Sequence, residues 1–305
     1  MKLTKTLTIL FVSFFSLQIA GAQTTKFTGS LLWKISGKGL KAPSYVFGTH
    51  HLISSDFLES IPHFWDILNN TEQTIGEMDM SDMPQMQAKM MQVAMLPEGM
   101  SYKEMLSTEE YSALDEGLKK LFGVGLEQFG QFHPALISSM AAIQMYAKYF
   151  PEIHSKEHVA VDVLVQNVAV EKGKTVIGFE TAEEQLDILF NSEPIKVQVQ
   201  ALVCSFRNFD LAIDEQTVSL FQNYREGELN KMYTLSFNTD ENPCPVPATF
   251  QSALLKNRND KWLKKLPKIM KDKSSFIAVG ALHLAGEEGL LFQLDKMGYT
   301  VEAVK

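Results

Sequence analysis

Apolar positions along the chain fall into two rhythms. Four short continuous runs, "SYVFGTHHL" (44–52), "QTIGEMDM" (73–80), "KTVIGFET" (174–181) and "SFIAVGALHL" (275–284), are β-prone and bounded by polar or turn residues. That pattern predicts strands buried on both faces of a covered sheet. Each run passes a glycine and ends beside ionisable side chains: His50 and His51, Glu77, Glu180 and His283. The intervening stretches carry a helical repeat. Phe57 to Asn70 places Phe57, Leu58, Ile61, Phe64, Trp65 and Leu68 at helical spacing, and 83–150 reads as a helical block broken near Pro97–Gly99 and Gly123–Gly130. Residues 159–174 predict a helix closed by Gly173 that feeds the third strand directly. Helices follow through "AEEQLDILF" and on to Tyr233, then the turn-rich "FNTDENPCPVP", a helix from Phe250 to about Ile269, and a last helix ending near Gly298 before a final short strand.

The first residues change the picture of where the chain works. Lys2 and Lys5 precede an apolar run from Leu7 to Ile19 that closes on Ala20, Gly21 and Ala22, the pattern of a secretory signal peptide cleaved near Ala22. The run is too short for a transmembrane anchor, no later segment reaches the roughly 18 apolar residues of a membrane span, and no cysteine follows the cleavage site to accept a lipid. A periplasmic or secreted protein is expected, with a signal peptide at 1–22 and one domain over 23–305 carrying a helical insertion at about 81–160. Loss of Lys2 and Lys5 takes the formal charge from −8 to −10, which disfavours nucleic acid as a partner. Cys204 and Cys244 are the two cysteines; export permits a disulfide, but pairing needs a geometry that spacing does not reveal.

In α/β sheets, ligands collect beyond the carboxyl ends of the strands, so two histidines and two glutamates at four such ends can face one cleft. Imidazoles and a carboxylate suit a divalent ion, and an open position on that ion activates water for hydrolysis. "FGTHHL" and "VGALHL" share an apolar residue, Gly, two residues, His and Leu, a register that sets His51 opposite His283 and leaves His50 opposite Leu282. The plain alternatives are hydrogen-bonded histidines at strand ends and glutamates at helix N-termini.

"LLWKISGKGLKAPSYVFGTHHL", Glu77 in its strand, "GFETAEEQLDIL" and "VGALHLAGEEGLLFQLDKMGYTVEAV" resemble the TraB/GumN family, which includes the Tiki proteases. The resemblance implies an α/β fold like that of erythromycin esterase and the ChaN haem-binding lipoprotein: a central mixed sheet, surrounding helices and a large helical insertion. It also implies a metal-dependent peptidase. His51, His283 and Glu77 then become ligands of one divalent ion (manganese, cobalt or zinc). Glu180 becomes a further ligand or general base, and Arg258, in "KNRND", a cation that steadies an oxyanion or holds a substrate carboxylate. The expected substrate is a peptide or protein. The alternative is a non-catalytic binding protein for a peptide, a haem-like ligand or a small molecule, since fold does not fix function.

Rival motifs carry less. "HSKEH", His154 to His158, matches the H-x-x-E-H pattern, but it follows Pro151 in a polar stretch where a continuous helix is not expected. Eight of the 15 methionines lie between Met78 and Met100; Met83, Met86 and Met90 form a helical stripe, which predicts core or a hydrophobic lid rather than soft-metal binding. His63 and His133, beside bulky apolar neighbours, are expected to be ordinary core or surface histidines. No G-x-S-x-G, P-loop or H-E-x-x-H motif is present.

Overall fold

A computed structural model describes residues 26–151, 159–208, 213–237 and 243–305. The segment 1–22, expected as a signal peptide, and the "HSKEH" segment lie outside the described residues. The four apolar runs form β2 (Ser44–Thr49), β3 (Gln73–Met78), β4 (Thr175–Glu180) and β5 (Ser275–Gly280). They pair in parallel in the order β4-β3-β5-β2. The short terminal strand is β6 (Thr300–Ala303). β1 (Leu32–Ser36), which the apolar-run pattern does not single out, pairs antiparallel with both β2 and β6 and makes the six-stranded sheet mixed. β5 is central and covered on both faces, with Phe276, Ile277 and Val279 fully buried. A continuous apolar sequence is what such a strand requires.

Helix boundaries depart from the periodic pattern where local chemistry intervenes. The expected 57–70 helix splits into a 3₁₀ turn at Ser55–Ser60 and α1 (Phe64–Asn70). Pro62 disfavours helix at Ile61, and His63 takes a left-handed conformation (φ 57°) to begin the second piece. α2 (Met83–Val93) carries the methionine stripe, yet none of its residues is buried and Met91 is 78% exposed, so the stripe is not core. α3 (Thr108–Phe122), α4 (Pro134–Tyr149) and, from beyond β4, α7 (Ile195–Arg207) share a second core built on Leu114, Leu118, Ile137, Val199 and Leu202. The helical lobe therefore recruits a helix from outside 81–160.

α5 (Val161–Glu171) is the crossover into β4 and lies close against β3. A Cβ at Gly76 would collide with the Gln166 amide, which instead bonds Met78 O and Met80 N at 2.9 and 2.8 Å. The missing side chain brings the first turn of α5, with Asp162, to the carboxyl end of the sheet. α6 (Ala182–Asn191) follows β4 with a capping box between Thr181 and Glu184. α8 (Ile213–Arg225) and α9 (Leu229–Phe237) lead to Cys244, which is disulfide-bonded to Cys204 of α7. α10 (Asn257–Asp272) is entered through a π-helical turn, Ser252–Lys256, and α11 (Leu290–Lys296) precedes β6.

Candidate active site

The carboxyl ends of the parallel strands deliver the expected residues to one place. Glu77 lies at the end of β3 and Glu180 closes β4; His51 is two residues beyond β2, and His283 ends the 3₁₀ turn after β5. Gly280 has a local role: a Cβ there would stand 3.2 Å from Glu77 Oε1, and the bare backbone N–H instead donates to that oxygen at 2.7 Å.

Arg258 of α10 crosses the cluster as a hub. Its Nε donates to both Glu180 oxygens at 3.0 and 2.9 Å, and Nη2 donates to Glu180 Oε2 at 2.8 Å and Glu77 Oε2 at 2.6 Å. Nη1 meets Leu254 O at 3.3 Å and His283 Nε2 at 3.0 Å. All five guanidinium hydrogens have partners. The i−4 carbonyl of Leu254 is reached through the π-helical turn, a geometry found often at functional sites. Glu180 is buried, with a second donor in Trp262 Nε1 at 3.0 Å, and the Arg258 guanidinium lies over the Trp262 ring at 4.9 Å. Two carboxylates face one guanidinium, so the buried triad keeps a net negative charge.

The tautomer of His283 follows from its neighbours. Asn259 Nδ2 donates to the carbonyls of His283 and Glu288, so Oδ1 must accept from His283 Nδ1 at 2.8 Å. Nε2 then carries the lone pair that Arg258 contacts, and it lies 3.8 Å from Glu77 Oε1. Burial, with help from Arg258, lowers the His283 pKa to about 3 despite Glu77. Burial pushes Glu77 up, but the positive charges of His283 and Arg258 outweigh it and bring the carboxyl down to about 2. At neutral pH, with His283 uncharged, the Arg258 guanidinium and the protonated His51 are the cations that keep Glu77 ionised.

His51 points its Nδ1 at Asp162 Oδ2, 2.6 Å away, while Asp162 Oδ1 accepts from Thr49 Oγ1 at 2.7 Å. The Asp162 carboxylate raises the His51 pKa to about 9, so the ring is protonated at neutral pH and an ion at Nε2 would have to displace that proton. The His51 side chain is 65% exposed and lines the cavity, and its Nε2 makes no hydrogen bond among the described residues. His50 behaves differently. Its Nδ1 accepts from Leu52 N at 3.3 Å, Nε2 meets Tyr146 OH at 3.2 Å, and burial lowers its pKa to about 4.

Asp162 and Asn259 are not among the residues expected from the sequence. Asp162 left a signal, a lone acid within the apolar "VAVDVLV"; Asn259 left none beyond adjacency to Arg258. The donor chemistry suits a divalent ion, because both histidines have an oxygen acceptor at Nδ1, leaving Nε2 as the ligating atom. The arrangement is not a ready-made cage, however. Among the described residues no group of three His, Cys, Asp or Glu side chains is placed to hold a metal, and Arg258 occupies the Glu77 oxygen and the His283 nitrogen that an ion would take.

Fold and site together define a mixed-sheet α/β protein with a His/Glu/Arg cluster at the carboxyl end of its parallel strands. The chain belongs to the TraB/PrgY/gumN family, whose sequence profile matches residues 31–303. It is similar to the protein titled Metalloprotease TIKI2 from Danio rerio, at 22% identity over 317 residues, covering 90% of this chain. The chain spans about 60% of that relative's length. No solved structure gives a significant match.

Proposed function

We propose that the protein is an exported, metal-dependent hydrolase of peptide or protein substrates, with His51, His283 and Glu77 holding one divalent ion (manganese, cobalt or zinc). The observation that carries this reading is the matched pair of histidines: Asp162 and Asn259 occupy the two Nδ1 atoms, so each ring would ligate through Nε2, which in His51 makes no hydrogen bond among the described residues and in His283 is contacted by Arg258. The net negative charge around Arg258 favours a cation at the same place, and the relative's name as a metalloprotease agrees with it. The disulfide supports an oxidising, extracytoplasmic location.

When bound, the ion supplies a Lewis acid for an amide carbonyl and lowers the pKa of water. The protein's own residues set the stage for it. Asp162 fixes the His51 ring and Asn259 the His283 ring. For His283 Nε2 and Glu77 Oε2 to hold an ion, Arg258 would have to release them, and Glu180, bonded to Nε and Nη2, would keep the guanidinium beside the site. There it can face a developing oxyanion. Glu180 is first an anchor; it takes part in proton transfer only once Arg258 has moved off one of its oxygens.

Elemental analysis tests the proposal. Wild-type protein loaded in turn with manganese, cobalt and zinc, then desalted, is expected to retain about one equivalent of ion, and His51→Ala and His283→Ala to retain none. Metal-free wild type after all three loadings overturns it. The existing Arg258 bonds to Glu77 and His283 favour a second reading, a binding protein whose guanidinium permanently fills the cation position. Metal-free protein that binds peptides without cleaving them supports that reading.

A further inference from the structure

The cavity beside the cluster encloses about 340 Å³ and is chemically two-ended. His51, Glu77, Arg258 and His283 form one end. Most of the remaining wall is apolar: Leu220 of α8, Met232 and Phe237 of α9, Leu254 and Leu255 of the π-helical turn, and Leu282 after β5. No lysine, arginine, aspartate or glutamate belongs to this part of the wall, whose polar members are Thr49, His50 and Ser236. The volume lies at the small end of ligand pockets, roughly 300–1,000 Å³, which suits a short stretch of chain rather than a folded surface.

We propose that this wall is a side-chain subsite that selects substrates with a bulky apolar residue (leucine, methionine or phenylalanine) next to the amide group held at the polar end. The inference rests on the reading of the substrate as a peptide. A charged side chain placed against Leu220, Leu254 and Leu282 loses hydration and finds no partner, whereas an apolar one buries its area against theirs. The polar end satisfies the adjoining peptide group, so recognition divides along the substrate as it divides along the cavity.

The test separates the subsite from the hydrolase reading by measuring binding first. Peptides acetyl-Gly-Xaa-Gly-amide, with Xaa leucine, phenylalanine, alanine, aspartate or lysine, are titrated calorimetrically into chelator-treated full-length mature protein. Leucine and phenylalanine peptides are expected to bind at least about 10-fold more tightly than the aspartate and lysine peptides. Leu220→Lys is expected to bring the aspartate peptide to the top of the ranking, and Leu220→Met to leave the ranking of wild type. Circular dichroism confirms that both variants are folded. Equal binding across the series, no binding of any peptide, or binding of sodium decanoate in place of every peptide overturns the proposal. Cleavage of the same peptides by metal-loaded protein is scored separately. Ranked binding without cleavage leaves the subsite standing and removes the hydrolase; cleavage without apolar preference does the reverse.

Discussion

His50 and His51 are chain neighbours with opposite electrostatics, and the difference comes from what each ring meets. His51 faces the Asp162 carboxylate and is drawn up to about 9; His50, packed between the rings of Tyr146 and Tyr224, is pushed down to about 4 by burial. The matching of "FGTHHL" with "VGALHL" singles out His51 from sequence, and in the structure its Nε2 makes no hydrogen bond among the described residues. The partner that orients it was not legible, because Asp162 lies 111 residues away and reaches His51 only through the packing of α5 against β3. Asp162→Asn keeps the shape but removes the charge that holds Nδ1–H. It is expected to weaken divalent-ion affinity by roughly 10–100-fold, measured by competition with a chromophoric chelator, and Asp162→Glu to recover part of the loss.

Among the elements, strands were readable and helix ends were not. β2, β3 and β5 are buried on both faces, which their apolar runs record, while β4, at the sheet edge, is fully buried only at Phe179 and Glu180; β1 carries Lys34 in a five-residue strand and left a weaker trace. The π-helical turn before α10 had no sequence signature, yet it sets Leu254 O under Arg258 and turns Leu254 and Leu255 to the cavity. The disulfide ties α7 to the segment between two cavity-lining elements, α9 and the π-helical turn, across a sequence separation of 40 residues. A loop of that length is worth up to about 4 kcal/mol through restriction of the unfolded chain. The double variant Cys204→Ser, Cys244→Ser is expected to lose stability by up to that amount, read from the midpoint of urea unfolding.

For the molecule as a whole, the histidines and Glu77 of the site make stability depend on pH in both directions. His50 and His283 fall from 6.5 when unfolded to about 4 and about 3, and Glu77 falls from 4.5 to about 2. Each takes up protons more readily unfolded, so its contribution is complete above the unfolded value and is lost on acidification. His51 rises from 6.5 to about 9, so its contribution is complete below 6.5 and is lost as the pH climbs toward 9. Metal-free protein is therefore expected to be most stable near pH 6.5, with urea midpoints falling on either side. Asp162→Asn is expected to flatten the alkaline side, since it removes the charge that raises His51; an unchanged alkaline side would show that Asp162 is not the cause.

Sequence alone determined the four parallel strands, the presence of histidines and glutamates at their ends, and the match of those ends to one another, because strand burial and strand-end turns are recorded in local residue patterns. Tertiary structure decided which groups meet. Arg258, Asp162 and Asn259 lie on helices whose distance from the strand ends depends on the packing of α5 and α10, and on glycines that let backbone and side chains approach. Hydrogen-bond tautomers and charge balance at the site are properties of that packing, so "YVFGTHHL" names a ligand candidate while only the fold supplies the carboxylate that orients it.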